Sequence, residues 1–405
     1  MEAPSSPEAP SARVSGTAST ASNEQNWSIY KRVQVQCKQA PAEEIANIPG
    51  FVDFVGNDER QDDRIIRLNK KDDKNMLYQG PLFGLTDYPG FAMAPQALSP
   101  SLQEQLAFEA VTEYCEQPHA TNIDLVPPKP SEKVNTQEES IWSIWKAEQS
   151  SSSQNNQNPP TRKRKQNQSG TPKYYRSFRK LSWATTGYHY DWTERSYHEG
   201  KKSSMPPLLQ DVALLFARTS LALTTTCTSP CIQQQFTPSA SIVNYYNTKS
   251  VMGGHRDDLE YALDKPVISI SLGLPAIFLL GGKSKQSDEP VIPILVRPGD
   301  VMMLGGDARL NYHGMARVLL PQDYAIYRNG SGSERKDFSS SGQVTRELLS
   351  SKLSQGHENG TGRSGSDREH LTEEDRKALK RFLGQHRINI NVRQVNRDET
   401  TTSST

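Results

Sequence analysis

The stretch SIVNYYNTKSVMGGHRDD, residues 241–258, decides how the rest of the chain is interpreted. A run rich in β-branched and aromatic residues leads into a pair of glycines, and His255 and Asp257 follow two positions apart. The run predicts a β-strand. In an extended segment, residues i and i+2 point to the same side, so both side chains can face one point. A histidine and a carboxylate arranged in this way are candidate metal ligands.

The tripeptide HRD within this stretch also occurs in the catalytic loop of protein kinases. A kinase would need a glycine-rich phosphate loop before it, a DFG motif after it and an asparagine five residues beyond the aspartate. The chain has none of these features at the required places. Phosphoryl transfer is therefore excluded.

Outward from this stretch, the sequence predicts a series of short strands separated by Gly, Pro and Asp turns. They are ASIVNYY (240–246), PVISISLG (266–273), PAIFLLGG (275–282), PVIPILV (290–296) and VMMLGG (301–306). The segment 371–386 reads as a helix, with Thr372 as its N-cap, and it leads into a last strand at 387–395. We expect a mainly β protein with flanking helices (α+β), built on a double-stranded β-helix, or jelly roll.

Composition indicates that much of the chain lies outside any core. Apolar residues make up 34% of the 405 residues, and the mean hydropathy is -0.71. Apolar spacing predicts helices at 102–115 and 211–223. The expected organisation is a disordered tail at 1–25, a helical extension at 26–146, a disordered basic insertion at 147–171, a nucleotide-recognition lid with a supporting helix at 172–239, a jelly-roll core at 240–328 and 369–396, a disordered insertion at 329–368 and a disordered tail at 397–405.

The overall charge favours no particular partner, because 47 Lys and Arg nearly balance 46 Asp and Glu. Four cysteines are too few for a disulfide scaffold, which indicates a reducing compartment. No apolar run has the length of a membrane span, and the first 25 residues resemble neither a secretory signal nor a transit peptide. We expect a monomer that does not bind membranes and is located in the nucleus or cytoplasm, with the mitochondrion as the alternative.

A third metal ligand would have to come from another strand, and His313 in YHGMARV is the candidate. Two histidines and one carboxylate on one face of a metal, with the other positions open, are typical of non-haem Fe(II) oxygenases. The alternative is that His255 is a surface residue in a glycine-rich turn and His313 a hydrogen-bonded core residue.

The last strand, RININVRQV, favours the oxygenase. Arg387, Asn389 and Arg393 alternate along it, so their side chains face the same side. Two guanidinium groups on one inner face need anions to pair with, and a dicarboxylate such as 2-oxoglutarate would pair with both. A solvated basic edge strand is the alternative.

Together, NYYNTKSVMGGHRDD, YHGMARV and RININVRQV resemble the AlkB family of Fe(II)/2-oxoglutarate nucleic-acid dioxygenases. WATTGYHYDW (183–192) and AIFLLGG (276–282) extend the resemblance over about residues 26 to 395. The resemblance implies that His255, Asp257 and His313 bind iron. It also implies that Asn244 and Tyr246 contact 2-oxoglutarate and that Arg387 pairs with its distal carboxylate. By the same resemblance, Arg393 supports the carboxylate at the metal, and Asn389 belongs to the same wall. The family pattern RxNxTxR has threonine where this chain has Asn391.

The resemblance also implies the reaction. Iron, 2-oxoglutarate and dioxygen would oxidise an N-methyl group on a base of methylated DNA or tRNA, releasing formaldehyde, succinate and carbon dioxide, as in DNA repair or RNA modification. Two other functions stay open: a 2-oxoglutarate oxygenase that acts on protein, and a catalytically silent module that binds nucleic acid.

A basic and aromatic segment between residues 161 and 190 is the expected contact with nucleic acid. Its eight cations are Arg162, Lys163, Arg164, Lys165, Lys173, Arg176, Arg179 and Lys180, with no acid among them. Cations attract phosphates, and aromatic faces stack on unpaired bases. The candidate substrate residues are Trp183, Tyr188, Tyr190, Arg179 and Lys180, although the aromatic ones could equally be core residues. RKRK at 162–165 is either a nuclear import signal or a solvated run of charge.

Overall fold

The computed structural model describes residues 28–55, 62–69, 76–136, 138–154, 173–191, 194, 196–224, 235–329, 342–354 and 371–397. The α-helices among them are α1 (Ile29–Gln39), α2 (Pro100–Thr112), α3 (Ile141–Gln154), α4 (Pro207–Thr224), α5 (Pro321–Asn329), α6 (Arg346–Ser354) and α7 (Glu373–Leu383). The strands are β1 (Ile65–Arg67), β2 (Phe83–Leu85), β3 (Tyr88–Ala94), β4 (Ala120–Thr121), β5 (Trp183–Asp191), β6 (Ser196–Lys202), β7 (Ala240–Asn247), β8 (Met252–His255), β9 (Val267–Gly273), β10 (Ala276–Leu280), β11 (Ile292–Val296), β12 (Val301–Leu304), β13 (His313–Val318) and β14 (His386–Arg393).

The strands form two antiparallel sheets. The major sheet has the order β1-β2-β3-β12-β9-β14-β7-β5-β4, with β6 paired to β5, and the minor sheet has the order β11-β10-β13-β8. Adjacent strands in each sheet come from distant parts of the sequence, as a jelly roll requires. The expected sheet-rich, antiparallel jelly-roll core with flanking helices is therefore confirmed.

Apolar side chains fill three layers around these sheets. The central layer lies between them and joins Val267 and Met302 of the major sheet to Ile294 and Met315 of the minor sheet. A second layer packs helices such as α2, α4 and α7 on the outer face of the major sheet. A third packs α1 and α5 on the outer face of the minor sheet. Both sheets are thus covered on both faces, which holds them as a rigid frame for the site.

Apolar and polar side chains alternate along β14, so one face of this strand belongs to the core and the other to the site. Ile388, Ile390 and Val392 point into the layer beneath the helices. The intervening polar residues, from Arg387 to Arg393, point to the opposite face, between the two sheets. The neighbouring strand β9 alternates in the same way, since Ile268 and Ile270 join the helix layer. Two adjacent central strands therefore present polar groups to the interior of the sandwich.

The structure also confirms the helices expected at 102–115, 211–223 and 371–386. At the start of α7, the hydroxyl oxygen of Thr372 accepts a hydrogen bond from the Asp375 N–H at 3.1 Å, as expected of an N-cap. Among the described residues, none of the helices combines the length and apolar character needed to span a lipid bilayer.

Two segments expected to be disordered begin or contain helices, and these expectations need correction. Helix α3 runs to Gln154, eight residues into the insertion placed at 147–171, and α6 lies within the insertion placed at 329–368. Val344 and Leu349 are fully buried against the helix layer. Because polar residues surround these two apolar residues, the average composition of the segment did not indicate a buried helix. The tail at 1–25, residues 155–171, 330–341 and 355–368, and the tail beyond 397 lie outside the described residues.

The N-terminal part of the chain is also more than a helical extension. It supplies β1, β2 and β3 to one edge of the major sheet, where β3 pairs with β12, and β4 to the other edge. The lid strand β5 pairs with β7 beside β14. The sheet therefore includes strands from before residue 240, which the expected core boundary left out.

Candidate metal centre and adjoining pockets

His255, Asp257 and His313 meet at one end of the sandwich. His255 ends β8, His313 begins β13, and the two residues face each other as direct partners in the antiparallel pairing of these strands. Direct partners project to the same face, so both imidazoles point into the space between the sheets. Asp257 lies two residues beyond β8 and completes the group.

The three side chains offer ligand atoms that all lie within 4.8 Å of one another. Nε2 of His255 is 3.9 Å from one carboxylate oxygen of Asp257, and Nε2 of His313 is 3.8 Å from the other. The imidazole centroids are 4.4 Å apart. The group is compact enough for one ion to contact all three residues.

The other ring nitrogens fix the tautomers that a metal requires. Nδ1 of His255 lies 3.0 Å from the carbonyl oxygen of Gly253, and Nδ1 of His313 lies 3.0 Å from that of Asn311. A carbonyl can only accept, so each Nδ1 carries the proton and donates it. In a neutral imidazole with this tautomer, Nε2 carries the lone pair that binds a metal, and such backbone contacts commonly orient metal-binding histidines.

The electrostatics favour the same protonation states. Burial opposes ionisation of Asp257, but Arg393 and the two histidines outweigh it and hold the pKa of the carboxyl well below its usual range. Burial, together with the nearby His255, lowers the pKa of His313 to about 4. The site therefore presents an ionised carboxylate and a neutral imidazole near neutral pH. Two imidazole nitrogens and one carboxylate oxygen form the donor set that suits Fe(II), and the residues fit that ion.

An inner pocket extends from the triad between the sheets. Its polar lining comes from Tyr246, Asn389 and Arg387, and apolar side chains such as Phe278 and Met302 complete its walls. The Phe278 ring stacks beside His313 with centroids 5.8 Å apart. This lining limits the access of water to the metal centre.

Arg387 is the unusual group in the inner pocket. Its guanidinium donates to Ser271 Oγ at 2.9 Å and to the Leu274 carbonyl at 3.3 Å, while its Nε has no partner among the described residues. Burial lowers its pKa to about 10 although Tyr246 and the carboxylate of Asp300 act in the opposite direction, and no carboxylate of the described residues forms an ion pair with it. A buried cation without an anion is costly unless a ligand supplies one.

A larger outer cleft opens on the other side of the triad. Trp183, Tyr190 and Tyr197 of β5 and β6 line it, together with Asn244 of β7. His255, Asp257, Met252 and Asn391 line both the inner pocket and the outer cleft. The triad therefore lies where the inner pocket and the outer cleft meet.

Arg393 lines the outer cleft and not the inner pocket. Its Nη1 donates to Glu260 at 2.9 Å, and its Nη2 lies 3.3 Å from Asp257. These two acids raise its pKa well above the usual value despite burial. Its guanidinium is thus occupied by protein carboxylates, and its expected contact with 2-oxoglutarate stays a prediction. Asn244 faces the cleft beside Trp183, and its expected contact with 2-oxoglutarate also stays a prediction.

Sequence reasoning missed three residues that organise this region: Glu260, Arg309 and Tyr197. Glu260 accepts hydrogen bonds from Arg393, from Arg309 Nη2 at 2.8 Å and from the Tyr197 hydroxyl at 2.9 Å. Arg309 also donates to the Asp257 carbonyl and, at 3.1 Å, to the Lys265 carbonyl, so it fastens the loop that carries Asp257. Glu260 lies three residues after Asp257 and could have been suspected. Arg309 carries no local signal.

Three cations of the basic and aromatic segment lie beside acids in the structure, and the expected contact of this segment with nucleic acid stays a prediction. Residues 162–165 lie outside the described residues. Further along, Arg176 pairs with Glu116 and Asp124, Arg179 pairs with Glu148 at 3.4 Å, and Lys180 pairs with Glu132 at 3.0 Å. These acids come from residues 116–148, so a charge count confined to 161–190 could not include them.

The structure brings only part of the expected substrate set to the cleft. Trp183 and Tyr190 line it, whereas Tyr188, Arg179 and Lys180 do not. The Tyr188 hydroxyl donates to Glu199 across the β5–β6 hairpin. Their expected contacts with substrate stay predictions.

Comparison with known proteins supports the geometry. Residues 131–393 match the model of the 2OG-Fe(II) oxygenase superfamily. The chain is 31% identical over 338 residues to the DNA N(6)-methyladenine demethylase ALKBH1A of Arabidopsis thaliana, an alignment that covers 82% of this chain and 80% of that protein. It is 31% identical over 237 residues to the nucleic acid dioxygenase ALKBH1 of Homo sapiens, covering 58% of this chain and about half (52%) of that protein. The tRNA demethylase abh1 of Schizosaccharomyces pombe is 30% identical over 142 residues, covering 35% of this chain and 43% of that protein.

Proposed function

This chain belongs to the 2OG-Fe(II) oxygenase superfamily and to the AlkB homologues within it, and we propose on that premise that it oxidatively demethylates N-methylated bases in nucleic acid. The observation that carries the proposal is Arg387, a buried guanidinium that forms no ion pair with the described residues and lines the same pocket as His255, Asp257 and His313. A dicarboxylate co-substrate supplies the missing anion.

The cofactors are Fe(II), 2-oxoglutarate and dioxygen, which enzymes of this superfamily require. When bound, they supply the oxidation that converts an N-methyl group to N-hydroxymethyl, one oxygen atom of O2 entering the methyl group and the other entering succinate as carbon dioxide leaves. The hydroxymethyl group then loses formaldehyde, and the N–H bond is restored.

The residues of the chain hold and orient these reactants. His255, Asp257 and His313 would hold the metal through two nitrogens and one oxygen, while their backbone contacts prevent the rings from turning. Arg387 would bind the distal carboxylate of 2-oxoglutarate, with Tyr246 lining the same pocket. The apolar walls keep the reaction away from bulk water.

The outer cleft is proposed to take the methylated base. Its three aromatic side chains, Trp183, Tyr190 and Tyr197, offer stacking faces close to the triad. A base within a duplex cannot reach a metal between two sheets, so the target has to be unpaired or flipped out. The names of the relatives include demethylases of DNA and of tRNA, and both polymers belong in the test.

The test is mass spectrometry of oligonucleotides incubated with the protein, Fe(II), ascorbate and 2-oxoglutarate. The panel contains single-stranded and hairpin DNA and RNA that carry N1-methyladenine, N6-methyladenine or N3-methylcytosine. We expect one substrate to lose the mass of a methylene group and formaldehyde to appear in equal amount, with no loss by the His255→Ala variant.

A second readout separates this function from the alternatives. Succinate released without demethylation of any oligonucleotide would contradict the nucleic-acid proposal and point to a protein substrate. Oligonucleotide binding without succinate release would point to a silent binding module. Monomeric state and a nuclear or cytoplasmic location remain part of the proposal, and sedimentation and cell fractionation would test them.

A further inference from the structure

Helix α1 lies outside residues 131–393, which match the oxygenase superfamily, yet it packs directly behind the metal centre. The Tyr30 ring fills the space beside Gly254 and Gly314, where a Cβ atom at either position would lie 2.7 Å from an atom of the tyrosine. These two glycines adjoin the two histidines of the triad in the sequence. The first turn of α1 is therefore anchored at the triad end of the minor sheet.

From this anchor, α1 runs along the outer face of the minor sheet and away from the triad. In its first half, Gln34 Nε2 donates to the Met252 carbonyl of the edge strand β8 at 3.4 Å, and Met252 lines the outer cleft. At its end, the Ala40 carbonyl accepts a hydrogen bond from Arg317, which lies four residues beyond His313 on β13. The side of α1 that faces β8 thus begins at the rim of the outer cleft and leads away from it.

The exposed surface of α1 is cationic. The helix contains Lys31, Arg32 and Lys38, all exposed, and no acid. Lys31 Nζ donates to Gln34 Oε1 at 3.3 Å, which places the ammonium group beside the rim of the cleft. Lys38 follows seven residues later, so the two lysines lie on one stripe about 10.5 Å long. Within the part of the chain that the structure describes, none of the three cations forms an ion pair, unlike the cations at 176–180.

Further cations connect this stripe with the cleft. The Tyr312 ring packs in the same apolar layer as Tyr30. The Arg256 guanidinium lies 5.4 Å and the Lys285 ammonium 5.7 Å from the centroid of the Tyr312 ring. Arg256 lines the outer cleft and pairs with Asp258 at 2.9 Å, which holds it at the rim. The aromatic side chains of the cleft belong to β5 and β6, on the side of the major sheet, so cations and rings lie on opposite sides of the opening.

We propose that Lys31 and Lys38 bind backbone phosphates of the nucleic-acid strand next to the methylated base, and so position an unpaired strand at the outer cleft. The inference rests on the proposed function, because it takes a nucleic acid as the substrate. Lysines that no protein acid neutralises are the groups that attract phosphates most strongly. Phosphates of one stacked strand follow each other at about 3.4 Å along its axis, so the stripe spans about three of them. Such contacts fix the strand whatever its base sequence.

The test measures the Kd of a fluorescent single-stranded oligonucleotide that carries N1-methyladenine. Anisotropy is recorded at several salt concentrations with the full chain, Mn(II) and 2-oxoglutarate, in the absence of oxygen. Lys31→Gln removes one charge and keeps a side chain of similar helix propensity. The lost phosphate contact should reduce the slope of log K against log salt by about 0.7 and raise the Kd about fivefold at about 0.1 M salt. The double variant Lys31→Gln/Lys38→Gln should lose about twice that slope, whereas Lys31→Arg should bind like the wild type.

Arg32→Gln is the matched control, because it removes one charge from the same helix. Arg32 follows Tyr30 by two positions and projects about 200° around the helix from it, away from the sheet. Its removal should change the Kd less than about twofold, since salt screens a charge that does not touch the strand. The kcat at saturating oligonucleotide should be the same in the wild type, Lys31→Gln and Arg32→Gln, because neither side chain lines the inner pocket or the outer cleft.

The outcomes are distinguishable from failure of the proposed function. A wild-type salt slope in Lys31→Gln and in the double variant would overturn the inference while leaving the oxygenase intact. An equal loss in Arg32→Gln would also overturn it, because the effect would then follow the total charge of the protein. A lower kcat with a wild-type Kd would make Lys31 a structural support of the triad and overturn the phosphate contact. If the wild-type protein neither bound nor demethylated any oligonucleotide, the proposed function itself would fall.

Discussion

The inner wall, formed by Arg387, Asn389 and Asn391 of β14, and the lid segment, residues 173–202, both carry cations, but these cations differ in their partners. On the inner wall, Arg387 is buried and forms no ion pair with an acid of the described residues. On the lid segment, Arg179 and Lys180 each pair with an acid from a distant part of the chain. A buried cation without an acid is prepared for a ligand anion, whereas a paired surface cation serves mainly the structure. Exposure and local charge density alone would instead have favoured the lid segment as the region that binds a ligand anion.

The largest effect is expected where the two regions meet, at the metal centre. Asp257→Ala removes the carboxylate that lies within 4 Å of both imidazole Nε2 atoms, at 3.9 and 3.8 Å. We expect Mn(II) affinity to fall by at least about a hundredfold and turnover of 2-oxoglutarate to disappear, because losing a direct ligand exceeds the effect of losing an outer contact. Calorimetry and succinate release measure both quantities.

The control is His198→Ala, which removes a half-buried histidine of the β5–β6 hairpin, paired with Glu194. It should leave succinate release unchanged. Undiminished succinate release by the Asp257 variant would contradict the assignment of the metal ligands.

The second prediction tests the inner wall alone. Arg387→Met should raise the Kd of 2-oxoglutarate about a hundredfold, because a charge-assisted contact with the distal carboxylate is lost. The same substitution should leave the free energy of unfolding equal or higher, since it removes a buried cation with an unpartnered Nε. Calorimetry and urea unfolding give the two values. A strong loss of stability with unchanged affinity would mean that Arg387 is a structural residue.

The alternation of β14 explains why the sequence was informative for the inner wall. Polar and apolar residues at alternate positions of RININVR require two faces of different character, and the structure supplies helices on one face and the site on the other. The HxD spacing worked for the same reason, because it depends on local geometry. His313 could be proposed because strand succession returns β13 to the side of β8.

The lid segment could not be predicted in this way, because its properties depend on contacts across long stretches of sequence. The acids that neutralise Arg176 and Lys180 come from residues 116–132, and the Arg309 contacts that secure the Asp257 loop come from some 50 residues further along the chain. Composition within a window measures none of these pairings. The same limit explains α6, whose two buried anchors are surrounded by polar residues.

The third prediction sharpens the contrast within the outer region. Trp183→Ala should raise the KM for a methylated oligonucleotide about tenfold, since stacking of one base contributes about 1–3 kcal/mol. Lys180→Gln should change it less than about twofold, because its ammonium group already pairs with Glu132 at 3.0 Å. Steady-state kinetics at two salt concentrations measure both. A larger and salt-dependent effect of Lys180→Gln would restore the lid segment as a phosphate contact.

The smallest expected effect is a pH dependence of the unfolding free energy. It should arise at His119, beside the lid segment, and not at the inner wall. His119 is buried and lies 2.7 Å, through Nδ1, from the hydroxyl of Ser203, directly after β6. The ring of Tyr114 packs edge-on against it, and His189 of β5 lies nearby. Burial, aided by His189, lowers the pKa of His119 to about 4.

Because the unfolded chain binds a proton to His119 near its ordinary pKa of 6.5 and the folded chain does so only near 4, acidification favours unfolding between these values. The contribution is complete above pH 6.5 and is lost progressively as the pH falls toward 4. We expect wild-type protein to lose on the order of 1 kcal/mol of unfolding free energy through this group between pH 7 and 5, after allowance for partial solvent access. His119→Gln keeps a hydrogen-bonding side chain but cannot titrate, so the difference in urea-unfolding free energy between the two pH values should shrink by that amount. If the unfolding free energy changed equally between pH 7 and 5 in both proteins, His119 would not be the source of the pH dependence. His189, whose pKa burial also lowers, would then be the candidate, and His189→Gln would test it.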